Sequence, residues 1–465
     1  MDAIDTKAWQ RVPLAEAVMT LWRFVADDQW LGELFREHRE RCYTKLLGFP
    51  TLVHLVNDSL VMYHGSGRAS FERAAENGDL PVSIRATFGK LGRVPLRLSE
   101  AFLSRTSDRL REVVPVTTLR QVPPSLRQFH VTILDGKAIK RVLKRLKLLR
   151  GQRGGVLGGR ALVGVDFQSG QAVDMWTDPD GDANDVKFVP HLVPRLRQRI
   201  PGPRLWLVDR QFADTVQTAH FAQGDDHFLT RYNKKVPFHR DLSRPAQKGR
   251  DALGREYVED WGFIGKPNSP RRRAVRRITL KRPGEEDLVL LTDLLDAEQY
   301  PAADLLTLYA RRWGIEQIFQ KVTEVFCLQR LIGGTPQATV FQFAFCLLLY
   351  NMIETVRSTI AAQVERDPET ISLEKLFLDV ERQLTACTVM WDVEQLVARV
   401  DRPWRASEVR QRLRHLLRHV WTDRWIKAKS YRRRPHPIVP RSGVHTSVHR
   451  ILMAAKQQRA AHRPP

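Results

Sequence analysis

Two short apolar runs, each closed by an aspartate, constrain this chain more than any other feature. His130-Val131-Thr132-Ile133-Leu134 leads into Asp135-Gly136, and Leu205-Trp206-Leu207-Val208 leads into Asp209-Arg210. Both runs are β-branched or bulky and bounded by turn or helix-start residues, the pattern of strands buried on both faces. Carboxylates at the ends of such strands face the open edge of a sheet, where α/β proteins hold their ligands. Each aspartate also has a plainer reading: Asp135-Gly136 as a turn, and Asp209 as the N-cap of a helix starting at Gln211.

A third carboxylate follows on a helix. Leu308, Ile315, Ile318, Phe319 and Val322 recur at the spacing of one apolar helical face. Tyr309, Arg312 and Glu316 form a second stripe, with a phenol, a guanidinium and a carboxylate on adjoining turns. Arg312 and Glu316 alone would also make an ordinary i,i+4 ion pair on a solvated face. That pairing leaves unexplained the order strand-Asp, strand-Asp, helix-Glu in one chain. Three carboxylates can hold two divalent cations about 3.5 to 4 Å apart for phosphoryl transfer. Magnesium suits such all-oxygen ligation, with manganese as a substitute.

Leu134-Asp135-Gly136, Val208-Asp209-Arg210-Gln211-Phe212 and Tyr309-x-x-Arg312-Trp313-x-Ile315-Glu316-x-x-Phe319 resemble the three motifs of DDE transposases of the insertion-sequence-four type. Phe228-Leu229-Thr230-Arg231 and Leu290-Leu291-Thr292-Asp293-Leu294-Leu295 fit the same pattern, and the resemblance spans roughly residues 128 to 355. It implies an RNase H-like mixed-sheet catalytic core in which Asp135, Asp209 and Glu316 bind metal. Tyr309 and Arg312 would then contact DNA phosphates at the element's ends. The family signature ends with a lysine seven residues after the glutamate, a position that is Thr323 here. Lys321 lies five residues after Glu316, about 140° around a regular helix, whereas Gln320 stays on the stripe. The first aspartate is followed by Gly136-Lys137, where a threonine is common after the glycine.

Charge agrees with a nucleic-acid partner. Lys and Arg number 75 against 52 Asp and Glu, a formal charge of +23. That balance favours a polyanion without naming it. Candidate DNA contacts are Tyr309, Arg312, Arg210, Lys137 and Lys321, with Trp261 as a ring that could stack on an unpaired base or pack in the core. No uninterrupted apolar run approaches the roughly 20 residues needed to span a bilayer, and Met1–Lys7 lacks a signal-peptide pattern. The expectation is a cytoplasmic, prokaryotic, nucleoid-associated protein. Cys42, Cys327, Cys346 and Cys387 lack CxxC spacing, so neither a zinc site nor a disulfide framework is indicated.

The expected architecture is α/β. Residues 1–125 read as a helical, DNA-binding region, with a helical scaffold carrying solvated arginines as the alternative. Residues 126–230 read as the first part of the RNase H-like core, including a hairpin over Ala161–Val165 and Gln171–Trp176 and a cationic arm from Lys137 to Arg150. A β-rich insertion would occupy 231–300, the catalytic helix and the end of the core 301–355, and a helical region with a basic tail 356–465. Beyond Asp423 there is no acid, and 11 Lys or Arg, including Arg432-Arg433-Arg434, suit an arm that orders on DNA. The acidic loop Asp178–Asp185 lacks the glycine and closing glutamate positions of a calcium loop and reads as a solvated turn. His445 and His449 have no accompanying carboxylate or cysteine and are not a metal site.

Together these features imply a transposase: end cleavage by an activated water, then attack of the 3′ hydroxyl on target DNA, with double-stranded DNA as partner and a homodimer on paired ends. The alternatives are an RNase H-like host nuclease and a catalytically impaired DNA-binding relic.

Overall fold

The structure is a computed structural model that describes residues 8–42, 46–139, 156–326, 328–400, 404–427 and 446–461. The cationic arm beyond Ile139, the Arg432–Arg434 run, His445 and Cys327 lie outside the described residues.

Strands β1 (His130–Ile139), β3 (Gly159–Asp166), β4 (Gln171–Asp178), β5 (Arg204–Val208) and β6 (His227–Arg231) form one half of a mixed sheet in the order β4-β3-β1-β5-β6, with the short β2 (Val156–Leu157) outside it. β1 runs parallel to β5 and β5 parallel to β6, while β3 is antiparallel to both β1 and β4. This is the arrangement expected of an RNase H-like core, and the predicted hairpin is β3–β4.

The uninterrupted apolar runs have a physical reason. Along β5, Leu205 and Leu207 join the cluster on one face of the sheet, while Trp206 and Val208 join the cluster on the other. Val131 and Ile133 of β1 go to the first cluster and Leu134 to the second. A strand covered on both faces favours apolar residues pointing both ways, at about 1.5–3 kcal/mol gained per buried large side chain.

The first face is covered by six helices, α1 (Pro13–Val25), α2 (Asp28–His38), α3 (Phe49–Val61), α4 (Gly67–Glu76), α5 (Ile84–Leu91) and α6 (Leu96–Arg111), together with a long helix near the end of the core. The predicted helical character of the amino-terminal region is therefore seen. Several of its basic residues are engaged internally: Arg105 with Glu37, Arg109 with Asp27, Arg111 with Asp108, and Arg97 over the Trp176 ring. The second face is covered by α7 (Val189–Arg199) and α8 (Thr215–Phe221).

β7 (Phe238–Arg240), β8 (Gln247–Arg250), β9 (Glu256–Ile264), β10 (Arg273–Leu280) and β11 (Leu288–Thr292) are the strands of the insertion. They do not form a separate sheet. β11 pairs antiparallel with β6 and carries the same sheet onward through β10 to β9, so the insertion extends the core. Its interior holds Arg276, fully buried, paired with Glu259 and donating to the Tyr300 carbonyl at 2.6 Å.

After the insertion come α9 (Ala302–Ala310), α10 (Gly314–Glu324) and α11 (Pro336–Gln363). α11 is long and apolar enough to cross a membrane, but the whole of its most apolar stretch is buried inside the fold. Its polar residues serve the sheet: Asn351 both donates to and accepts from the Ala172 backbone, at 2.8 and 2.9 Å. α12 (Leu373–Met390), α13 (Val393–Val400) and α14 (Ala406–Leu416) follow, and α15 (Val448–Ala461) comes last. Just before α15, Thr446 and Ser447 pair as a short parallel ladder with Val156 and Leu157.

Candidate functional site

Asp135 is not in a turn. β1 continues through Asp135-Gly136 to Ile139, with Asp135 opposite Val163 of β3. Its pairing with β5, however, stops at Ile133↔Leu207. Asp135 thus sits where β1 loses one neighbour and an opening begins. Asp209 directly follows β5 and starts a short 3-10 turn, Arg210–Phe212, yet its side chain caps no backbone N–H. Helix α8 begins at Thr215 rather than Gln211, and Asp214 caps it, accepting from the backbone N–H of Val216 and Gln217 at 2.8 Å each.

The helix expected to carry Tyr309, Arg312 and Glu316 is broken. α9 ends at Ala310, Arg311–Trp313 form a 3-10 turn, and α10 starts at Gly314. The stripe survives the break. Arg312 Nη2 donates to Glu316 Oε1 at 3.0 Å, and Arg312 Nη1 lies 3.9 Å from Asp135 Oδ2. This is not a pair on a solvated face, since the Arg312 side chain is only 6% exposed. Burial pushes the Asp135 carboxyl up to about 6 against the pull of Arg312, and the charges of Glu316 and Asp209 push the same way. Asp135 therefore feels the other two carboxylates.

Among the described residues, no three His, Cys, Asp or Glu side chains stand close enough to share one metal ion. A guanidinium bridges two of the carboxylates instead, and its buried Nε and Nη1 have no hydrogen-bond partner. The donor set of carboxylates alone is what a hard divalent cation takes. A cation of this protein's own, the Arg312 guanidinium, lies between two of them.

The remaining sequence candidates divide. Tyr309 is 4% exposed and its hydroxyl donates to the Val208 carbonyl at 3.3 Å, tying α9 to the end of β5 beside Asp209. Desolvation pushes its phenol up to about 12, so it stays a donor. Lys137 Nζ lies 5.5 Å from the centre of the Phe319 ring, one turn beyond Glu316. Arg210 is exposed and lines a cleft of about 420 Å³ with Arg231, Lys234 and Lys235. Lys321 pairs with Glu374 on α12 at 3.4 Å rather than joining the carboxylates. Thr323, at the position of the usual lysine, turns its hydroxyl back onto the Phe319 carbonyl at 2.6 Å.

Of its two readings, Trp261 takes the packed one. It is 3% exposed, donates to the Leu295 carbonyl at 2.8 Å and is covered by Arg244, so its ring has no free face for a base. Trp313, noted in the sequence only as part of a motif, is instead 59% exposed.

The acidic loop is a correction. It is not a solvated turn throughout: Asp180 and Asp182 pair with Arg450 of α15, and Asp185 is buried at 1% exposure. Asp185 pairs with Arg160 of β3 through both guanidinium Nε and Nη2, the latter at 2.6 Å, and accepts from Gln211 Nε2 at 3.3 Å. It lies against Gly136. A Cβ there would be 2.1 Å from Asp185 Oδ2, which is why the residue after Asp135 carries no side chain. The signal in the sequence was an acid opening the short 3-10 turn, Asp185–Phe188, that leads into α7, overshadowed by its acidic neighbours.

Residues 129–352 match the family model described as the transposase DDE domain, just under half of the chain. The match spans β1 through most of α11 and includes Asp135, Asp209 and Glu316. No curated protein matches the chain. Among solved structures, a cryo-EM structure of the piggyBac transposase synaptic complex with hairpin DNA is similar at 12% identity and a TM-score of 0.37, covering 88% of each chain. Likeness at that level carries no argument about chemistry.

Proposed function

We propose that this chain is a cut-and-paste DNA transposase of the insertion-sequence-four type, with Asp135, Asp209 and Glu316 as its catalytic carboxylates. The supporting observation is their convergence, from two neighbouring parallel strands and a helix, on the buried Arg312 within the stretch that matches the transposase DDE domain. Divalent cations held there, magnesium or manganese in its place, supply an activated oxygen nucleophile and stabilise the leaving oxygen.

The chain's own residues account for the rest. Arg312 carries a planar fork suited to phosphate, and an incoming DNA strand draws it off the carboxylates it now bridges. Arg210, Arg231, Lys234 and Lys235 line a cleft beside Asp209 that also holds Asp287 and Glu286, the latter paired with Arg231 and Lys234, so the cleft can follow a phosphate backbone where phosphate displaces that carboxylate. Trp313, exposed next to Arg312, is better placed than Trp261 to stack on an unpaired base. The net charge of +23 draws DNA over a longer range. Water attacks at each element end, the released 3′ hydroxyl then attacks target DNA, and a homodimer on the paired ends keeps the two events together.

Thr323 favours a second reading, a catalytically impaired relic, because its hydroxyl is turned into its own helix and offers a phosphate nothing. One experiment separates the two. The protein and its Glu316→Gln and Asp209→Asn variants are incubated with DNA carrying the gene's flanking ends, with magnesium or EDTA, and cuts are mapped to the nucleotide. Metal-dependent cuts at both ends, lost in the variants while end binding persists, support the transposase. Binding without cuts supports the relic, and equal loss of cutting and binding sinks the carboxylate assignment.

A further inference from the structure

Helices from both ends of the chain enclose a cavity of about 180 Å³, lined by Trp22 of α1, Met352 of α11, and Phe377 and Leu384 of α12. An apolar cavity of about 150 Å³ stays dry and takes up a ligand such as benzene. This one differs by a charge. Among the described residues lining it, only Asp58 is charged, one turn before Val61 on the face of α3 that meets the cavity. No cation among the described residues pairs with it. Its carboxyl meets the amide of neighbouring Asn57, and His54, one turn earlier, pairs with Asp28 at 2.7 Å. Desolvation pushes the Asp58 carboxyl up to about 6 against the pull of His54 and the Asn57 hydrogen bond, so at neutral pH it is ionised. The Cys387 thiol, also in the lining, is pushed up to about 11 by burial and stays neutral.

We propose that this cavity binds a small organic ammonium ion, its apolar body between Trp22, Met352 and Phe377 and its charged group against Asp58. Aromatic walls accept both parts of such a ligand, a ring by packing and a cation by the ring face. Methionine adapts to the shape of what enters. The net charge of +23 works against loose binding of cations elsewhere, so a bound ammonium marks a built site. None of this depends on the carboxylates of the candidate DNA site. A ligand here would touch helices more than 300 residues apart in the chain and add to their hold on one another.

The test is calorimetric titration of the full chain with benzylammonium chloride and with benzyl alcohol, its neutral counterpart of similar shape, at one ionic strength. Because a hydrogen bond between charged groups outweighs a neutral one, benzylammonium should occupy one site about tenfold more tightly. Asp58→Asn keeps the shape and removes the charge, so the two compounds should then bind within about twofold of each other, with benzyl alcohol unchanged. Leu384→Trp, which fills the cavity from α12, should lose both. Equal affinities in the parent, no saturable binding, a preference that survives Asp58→Asn, or undiminished binding by Leu384→Trp would each overturn the proposal. If circular dichroism shows that both variants unfold, the parent's discrimination between the two compounds decides it.

Discussion

Gly136→Ala tests the geometry behind the candidate site without DNA or metal. The added methyl would sit 2.1 Å from Asp185 Oδ2 and 2.2 Å from its Cγ, where carbon atoms need about 3.5 Å. Asp185 must withdraw by more than about 1 Å, and it has little room, being buried and held bidentately by Arg160. Forcing a methyl into a packed site costs about 1–3 kcal/mol, and loosening hydrogen bonds between charged groups costs about 1.5–3 kcal/mol more. Replacing glycine in a strand returns about 0.5–1 kcal/mol of chain entropy, and Gly136 has no left-handed backbone to oppose it. The expected net loss is roughly 2–4 kcal/mol, read from urea unfolding. The decisive measurement repeats the substitution in an Asp185→Ala background, where the methyl has space and the cost should fall below about 1 kcal/mol. Equal costs in the two backgrounds would refute the packing of Asp185 on Gly136.

Trp261→Ala should lower stability by about 3–5 kcal/mol in thermal or urea unfolding, whereas Trp313→Ala should barely move it and should weaken DNA binding by about 1–3 kcal/mol in a gel-shift titration. The reverse pattern would return Trp261 to the DNA surface. Tyr309→Phe should cost about 0.5–1.5 kcal/mol of stability and slow cutting, with end binding unchanged, since the hydroxyl holds the Val208 carbonyl; a selective loss of DNA affinity would instead make it a phosphate contact. Asp135, raised to about 6 by burial, is protonated below that pH, so cation affinity should fall by about tenfold per unit as pH drops below 6. The sign for folding is opposite: a raised carboxyl favours the folded protein as pH falls from above 6 toward the ordinary carboxylate range, and cation affinity flat from pH 7 to 5 would contradict the assignment.

Much of the fold was legible because its central strands are covered on both faces. The apolar residues Val131, Ile133, Leu134 and 205–208, which point to both faces of the sheet, follow from that burial, and the hairpin over Ala161–Val165 and Gln171–Trp176 is β3–β4. The carboxylates Asp135, Asp209 and Glu316 were found for the same reason, as acids at the boundaries of apolar elements. What stayed hidden depends on contacts between distant segments. Nothing local says that β11 pairs with β6, making the insertion a continuation of the core sheet. Nor does spacing reveal that Arg311–Trp313 leave the α-helix, because three-residue 3-10 turns preserve the stripe closely enough for Arg312 to reach Glu316. Trp261 was ambiguous because burial is decided by Leu295 and Arg244, which lie far from it in sequence.

Arg312 explains why those separate elements form one site. Three carboxylates from β1, the end of β5 and α10 would repel one another if brought together alone, and burial raises the cost further. The guanidinium supplied by the turn between α9 and α10 pays that cost: it pairs with Glu316, approaches Asp135 and is held in place by burial. Tyr309, one turn earlier, fixes the same segment to the carbonyl preceding Asp209. The helix, the turn and the β5 end are therefore assembled by contacts that do not require a bound ion. Arg312 also keeps two buried nitrogens without partners, an arrangement that favours its departure once phosphate oxygens can satisfy them. On the proposed function, a DNA strand entering this opening removes the internal cation from the carboxylates and exposes them to an external one in the same movement, so that phosphate binding and cation binding reinforce each other.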